Sequence, residues 1–300
     1  MKKELAMFNC KICGSDRYDV KFSKVDKYSK ESFDIVNCYA CGFSLVYPEP
    51  LNQELINYYP SEYTPYNIKK NNIISWIKTV LIKREIKKIK KLFGGKKQIS
   101  VLEVGCGNGE FLYHLKENTG WNVLGLEFNE NAVNVARKNF GLDVRVSTLE
   151  ESNISKESVD LVILRHVIEH IHDLKGFMDT LNSTLTKGGI LYQLTPNQKS
   201  LDEKLFQKNW YSYDPPRHLS YFTEKSLIDL LNQYNHEIVD VGHSIDPTNW
   251  IYSLRDMTTN QKLKRLLNIN PITLLIFTPI NAVTRLFKSS GIIKVISRKR

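Results

Sequence analysis

Between residues 98 and 244 short apolar runs alternate with amphipathic stretches. The apolar runs fall at 100–104, 122–127, 144–147, 159–164, 189–195 and 236–241, each the length of a buried strand. Helix-period stretches fill the gaps at 110–118, 130–139, 174–185 and 223–233. Asn129 is placed to cap the second of these, and Gly188-Gly189 to close the third. Strands alternating with helices predict a parallel sheet. The flanks read differently. Residues 1–48 hold cysteines and short β-like runs at 33–36 and 43–47. Residues 49–97 form a Pro- and Tyr-rich linker, then a basic amphipathic helix from about 72 to 93 closed by Gly94-Gly95. Residues 98–300 make the main domain, interrupted by an apolar, basic insertion at about 246–290 and ended by a strand at 292–296 that is expected to run antiparallel.

A content of 42% hydrophobic and 25% charged residues is that of an ordinary globular chain. No run reaches the roughly 18–20 uninterrupted apolar residues of a membrane span. The start, Met1 to Met7, is polar and lacks the apolar core of a secretory signal, which predicts a cytoplasmic chain. The net charge of +10 is unevenly spread. Residues 69–97 carry eleven basic groups and one acid, and 246–300 carry ten and two, whereas 98–245 carries thirteen against twenty carboxylates. Basic flanks on an acidic middle suit an anionic surface or substrate as well as a solvated helix face.

Cys10-x2-Cys13 and Cys38-x2-Cys41 lie 24 residues apart, each pair followed by glycine. Two thiolates from one tight turn grip a metal, and four complete a closed tetrahedral Zn2+ site. A segment of this length has too small a core to fold unaided, so a structural zinc would supply folding free energy. Cys106 lies in a Gly-rich loop as a small packing residue.

That loop, Glu103-Val-Gly-Cys-Gly-Asn-Gly109, follows the first strand and opens a helix. Gly105 and Gly107 allow positive φ and close approach of backbone amides to a ligand, and Gly109 allows close helix packing. The second strand ends in Glu127, about twenty residues on, where a carboxylate can accept both hydroxyls of a ribose. His166-Val-Ile-Glu-His170 has the H-x-x-E-H spacing of a zinc peptidase, but falls at a strand-to-helix junction rather than within a helix.

The loop, Glu127, the run from Asp160 to Asp173, Lys187-Gly-Gly189 and Thr195-Pro-Asn197, in this order, resemble the class I S-adenosylmethionine-dependent methyltransferase superfamily over about residues 98–244. The resemblance implies an α/β fold, a Rossmann-like seven-stranded sheet, here with a small N-terminal zinc-binding module. It implies S-adenosyl-L-methionine as cofactor. Glu103, Gly105, Gly107 and Gly109 would line its methionine end, Glu127 would hold the ribose with Phe128 beside the adenine, and Leu149, Arg165 and His166 would complete the pocket.

The stretch from Asn209 to Phe222 resembles the loop of a bacterial subgroup that begins near Trp210, ends in Pro-Arg-His-Leu and also carries the N-terminal cysteine pairs. The subgroup implies a small-molecule or glycan acceptor, methylated on O or N. His218 is the candidate general base, because imidazole titrates near neutrality. Tyr213 and Asp214 are candidates to orient the acceptor, and Arg217 to pair with an anionic group on it. The competing readings are an RNA methyltransferase with a zinc module and a non-catalytic partner-binding scaffold; the acidic middle argues against nucleic acid, and the intact loop against the scaffold. The insertion adds one expectation. Apolar residues beside Lys262, Lys264, Arg265, Arg285 and Lys288, and Ile73, Trp76, Ile77, Val80 and Leu81 beside Lys83, Arg84, Lys87 and Lys88, have the make-up of interfacial helices. They predict peripheral contact with the inner face of a membrane, and thereby a lipid-linked acceptor.

Overall fold

The computed structural model describes residues 8–59 and 72–300; residues 1–7 and the linker residues 60–71 lie outside the described part. The main sheet contains β4 (Ser100–Val104), β5 (Asn122–Glu127), β6 (Val144–Val146), β7 (Val159–Arg165), β8 (Leu185–Pro196), β10 (His236–Ser244) and β11 (Ile292–Lys299). Its order is β10-β11-β8-β7-β4-β5-β6, with β11 antiparallel to both neighbours and the neighbouring pairs among β4 to β8 parallel. The carboxyl ends of the parallel strands therefore share one edge, and the order reverses beside β4, where α/β folds bind ligands.

Helices α3 (Glu110–Thr119), α4 (Glu130–Phe140), α5 (Leu174–Thr184) and α7 (Glu224–Gln233) connect these strands. Asn129 caps α4 by accepting from the Ala132 amide at 3.1 Å, as its position predicts. Gly188-Gly189 does not cap α5. The helix ends at Thr184, and the fully buried Leu185 already pairs with Val159 in the sheet. The left-handed Gly188 (φ 76°) instead lies within β8. The basic helix α2 (Asn72–Lys91) lies on one face of the sheet through Ile82, Ile86 and Ile89, which pack with Ile99, Val101, Ile190 and Tyr192. Each such aliphatic side chain contributes about 1.5–3 kcal/mol by burial. Glu85 joins them by accepting from the Tyr192 hydroxyl and pairing with Lys294 at 3.3 Å.

The N-terminal segment forms a second sheet of β1 (Tyr18–Val25), β2 (Ser32–Cys38) and β3 (Ser44–Val46), followed by the single turn of α1 (Asn52–Leu55). The fourth strand of this sheet is β9 (Ser220–Tyr221), which comes from the far end of the chain and pairs with β3. Phe8, Cys10, Ile12, Val36, Phe43 and Leu45 share one apolar cluster with Leu102, Val162 and Leu191 of the main sheet. Before β9 come α6 (Leu201–Phe206) and the loop to Leu219, and the insertion folds as α8 (Thr248–Met257), α9 (Gln261–Leu266) and α10 (Pro271–Leu286). Among the described residues no helix is long and apolar enough to cross a membrane.

Candidate functional site

The loop between β4 and α3 makes the first half of the site. Gly105, Gly107 and Gly109 all have left-handed φ, of 66°, 55° and 78°. A Cβ on Gly105 would strike Val167 at 2.6 Å, and one on Gly109 would strike Leu142 at 2.7 Å and Ala136 at 2.9 Å. Gly107 differs: a Cβ there would meet no atom within 4 Å, so its backbone borders open space. Glu127 fixes this loop. Its carboxylate accepts from the Gly107 amide and from the Asn129 amide, each at 2.9 Å. Burial raises its pKa, while these amides oppose the shift.

Glu103 is almost fully buried, and its Oε2 has no hydrogen-bond partner among the described residues. Burial pushes its pKa up to about 7, against the pull of Arg165, whose guanidinium is 4.0 Å away over the Phe111 ring. A buried carboxylate oxygen left without a donor is costly, and a cationic ligand group would satisfy it. The amino and sulfonium groups of S-adenosylmethionine are cationic, and the open backbone at Gly107 leaves room, so this half of the site fits that cofactor. Phe128 is 46% exposed, with its ring against Tyr59 at 5.6 Å. Leu149 is buried in the core cluster. His166 has a left-handed φ of 57°, uncommon for a residue with a Cβ, and lies 3.4 Å from Glu169.

The second half gathers after β7 and in the loop before β9. Single ligand-capable atoms of Glu169, His170 and His218 lie within 4.8 Å of one another. The ring centroids of His170 and His218 are 4.6 Å apart, edge to face. His218 Nδ1 is 2.7 Å from the Ser212 carbonyl oxygen, and His170 Nδ1 is 3.0 Å from that of Arg217. A carbonyl only accepts, so Nδ1 carries the proton in both rings and Nε2 is the basic atom. Burial lowers both pKa values, that of His170 to about 4. Glu169 accepts from Thr195 at 2.9 Å; burial would raise its pKa, but His166 and the two other histidines hold it below the ordinary range. The Tyr59 hydroxyl is 3.0 Å from His170 Nδ1.

Of the four residues expected on the acceptor side, His218 alone joins this cluster. The Tyr213 hydroxyl donates to Glu203 at 2.7 Å and accepts from Lys21 at 2.7 Å and Gln198 at 3.1 Å, within a buried aromatic group. Asp214 is engaged by Arg217, whose guanidinium also reaches Asp26 at 2.5 Å. The Arg217 side chain is fully buried, so it does not offer its charge to an acceptor. Neither Glu169 nor Tyr59 was expected at the site from the sequence. The only signal was their place beside a strand end or in an aromatic stretch.

The four cysteines also converge. Cys10 and Cys41 have their Sγ atoms 3.6 Å apart, Cys13 and Cys38 3.5 Å, and all four lie within 4.8 Å. Four thiolates about 2.3 Å from one tetrahedral ion would stand about 3.8 Å apart. A disulfide would bring two of them to about 2.05 Å. Each pair is built by the same turn: the Gly14 amide donates to Cys10 O and the Gly42 amide to Cys38 O, both at 2.9 Å. Burial raises the thiol pKa values of Cys10 and Cys41, whereas the Cys41 and Ala40 amides pull Cys38 down to about 7.

A family model described as a methyltransferase domain matches residues 78–241. The ubiquinone biosynthesis O-methyltransferase of Sinorhizobium fredii is 31% identical over 107 residues, 34% of this chain and 43% of that protein. A Mycolicibacterium smegmatis protein named "Probable S-adenosylmethionine-dependent methyltransferase" is 34% identical over 99 residues, 33% of this chain and 38% of that protein. The chain thus spans less than half the length of these curated relatives. Among solved structures, an Archaeoglobus fulgidus SAM-dependent methyltransferase shares 21% identity with a TM-score of 0.50, covering 74% of this chain and 94% of its own. A geranyl diphosphate methyltransferase crystallised with GPP and sinefungin shares 12%, with a TM-score of 0.51 over 73% of this chain and 77% of its own. At these identities the two structures bear on the fold alone.

Proposed function

This chain belongs to the class I S-adenosylmethionine-dependent methyltransferase family, and on that premise we propose that it methylates a hydroxyl oxygen of a small-molecule or saccharide acceptor. When bound, S-adenosylmethionine supplies a methyl group on a sulfonium, so the residues of the chain are left to align the acceptor, exclude water and remove one proton. Glu103, Arg165 and the amides of the Gly105–Gly109 loop hold the cofactor's methionine end, and Glu127 its ribose. Phe128, Leu149 and His166 border the remainder. The acceptor lies before the His170–His218 pair. Oxygen is favoured because relatives are named O-methyltransferases and because a hydroxyl needs a base. We also assign one structural zinc ion to Cys10, Cys13, Cys38 and Cys41, since four protein thiolates leave no position open for catalysis.

The observation that carries the proposal is the fixed tautomer of His218. Its proton is committed to the Ser212 carbonyl, and burial keeps the ring neutral near pH 7, so Nε2 is ready to take the acceptor's proton. Because the pKa is lowered from 6.5, base function holds at neutral pH and is lost as pH falls through that lowered value. The test is labelled cofactor with a panel of hydroxylated metabolites, nucleotide-sugars and glycolipids, read by mass spectrometry, with His218→Ala in parallel. Turnover should fall about 10²- to 10⁴-fold, while S-adenosylhomocysteine binds as before. Turnover within about threefold of wild type would remove His218 from the base role.

A further inference from the structure

Helix α10 has two faces of opposite kind. Thr273, Phe277, Asn281 and Thr284 are buried, with Phe277 in the cluster of Trp250, Ile251 and Phe206. On the other side Ile272, Leu275, Ile276, Val283, Leu286 and the following Phe287 are between 53% and 81% exposed. They recur every three to four residues, so they form one stripe, which includes the exposed Pro279. A solvated helix face normally carries polar groups there, and an unbroken apolar stripe marks a surface that something covers.

Charge identifies the occupant. From residue 257 to the end the sequence has nine basic residues and no acidic one. Five of them, Lys262, Lys264, Arg265, Arg285 and Lys288, lie on α9, on α10 or just beyond it. None of the five forms an ion pair with a described carboxylate. Leu263, Leu266 and Ile269 are also exposed among these cations. A second copy docked about a two-fold axis through this face would bring the two sets of cations together with no acid on α9 or α10 to offset them. An anionic bilayer offers phosphates to the cations and hydrocarbon to the stripe. We propose that α9 and α10 dock this protein on an anionic lipid surface, with the apolar stripe in the headgroup layer and the helix lying along the membrane. Pro279, Arg285 and the polar buried face are compatible with lying in the interface, and none of the described helices can cross it.

The test is co-sedimentation of the full chain with vesicles of phosphatidylcholine alone and of phosphatidylcholine mixed with phosphatidylglycerol, at low and high salt. It does not involve activity, so it stands apart from the fate of the methyl-transfer proposal. The chain should bind the anionic vesicles, weakly at high salt, and leave neutral ones in solution. Each cation near such a surface is worth about fivefold in partitioning, so Lys262→Ala, Lys264→Ala and Arg265→Ala together should lower it by about a hundredfold. Leu275→Glu with Leu286→Glu should abolish it. Four of the five side chains are exposed and Lys264 is half-buried, so melting temperatures should hold; if a variant melts early, the comparison of the two vesicle types with wild type decides. No binding at low salt, binding indifferent to lipid charge, or a dimer in solution that Leu275→Glu breaks would overturn the proposal.

Discussion

Replacing Arg217 by Met tests the account of the loop before β9 most severely. The guanidinium makes a two-pronged contact with Asp214, with Nε 2.7 Å and one terminal nitrogen 2.6 Å from its oxygens. The same nitrogen is 2.5 Å from Asp26, and the other is 2.9 Å from the Tyr58 carbonyl. One side chain thus ties the β1–β2 turn, the residue before Tyr59 and the histidine-bearing loop together. Met fills most of the volume but leaves the fully buried Asp26 carboxylate without its cation and the largely buried Asp214 with only Lys27, 3.7 Å away. Breaking a buried pair from one side costs about 3–5 kcal/mol, and unfolding free energy at pH 7 should fall by about that much. The pH dependence supplies the sign. Burial would raise both aspartate pKa values, but Arg217 holds them below the ordinary range. Their stabilisation is therefore full above the unfolded pKa of about 3.9 and is lost as pH falls through the folded values. In the variant both carboxylates protonate more readily, so its deficit should narrow below about pH 4. Urea titrations followed by tryptophan fluorescence at pH 7 and at pH 3 measure both terms. Asp214→Asn added to Arg217→Met should recover part of the loss. A deficit under about 1 kcal/mol at pH 7, or one that does not narrow in acid, would refute the reasoning. A raised KM with unchanged stability would restore Arg217 to the acceptor.

Glu103 has its pKa pushed up to about 7 by burial, so S-adenosylhomocysteine, which carries an ammonium, should bind more tightly as pH rises through 7 and release a proton on binding; calorimetry in buffers of different ionisation enthalpy reads this, and Glu103→Gln should flatten the profile. The same pH dependence in Glu103→Gln would assign the titration elsewhere. Elemental analysis should find about one zinc per chain; Cys38→Ser should lose it and lower turnover as well as stability, because the metal turn is in contact with the loop that carries His170. A wild-type chain without metal, or a metal-free variant with full turnover, would contradict that link.

The strands of the main sheet were legible because each is a short apolar run between turn signals; 100–104 and 122–127 coincide with β4 and β5 to the residue. Strand β1 was missed although Tyr18, Val20 and Phe22 alternate with Asp19, Lys21 and Ser23, because most of its residues stay exposed and no continuous apolar run marks it. Gly188-Gly189 was misread because two glycines after a helix look alike whether they cap it or turn within a strand. The left-handed turns at Gly105 and Gly107 were legible because spacing along the chain carries their geometry. The acceptor side was not legible, because it depends on contacts across the chain. His170 and His218 are 48 positions apart yet stack edge to face, and whether Tyr213, Asp214 and Arg217 faced an acceptor or one another could not be told from a run of polar and aromatic residues.

The same contacts explain why cysteine pairs and the Pro-Arg-His-Leu stretch occur on one chain. Lys11, between Cys10 and Cys13, donates to the carbonyls of Ile171 at 3.3 Å and His172 at 2.9 Å, the two residues after His170. Its ammonium also pairs with Glu49 at 2.8 Å, and Gln233 donates to the Ile12 carbonyl at 2.9 Å. From the other side β3 pairs with β9, directly after His218 and Leu219, and the Val46 amide donates to the Leu219 carbonyl at 3.0 Å. Both histidines therefore stand on backbone held by the cysteine-bearing sheet. Two imidazoles in edge contact lose their relative geometry if either loop shifts by an ångström, and positioning errors of that size cost catalysis heavily. A metal site that closes the N-terminal turns would stiffen both loops without touching the acceptor. In that role its ligands would act on the site through the backbone that carries His170 and His218.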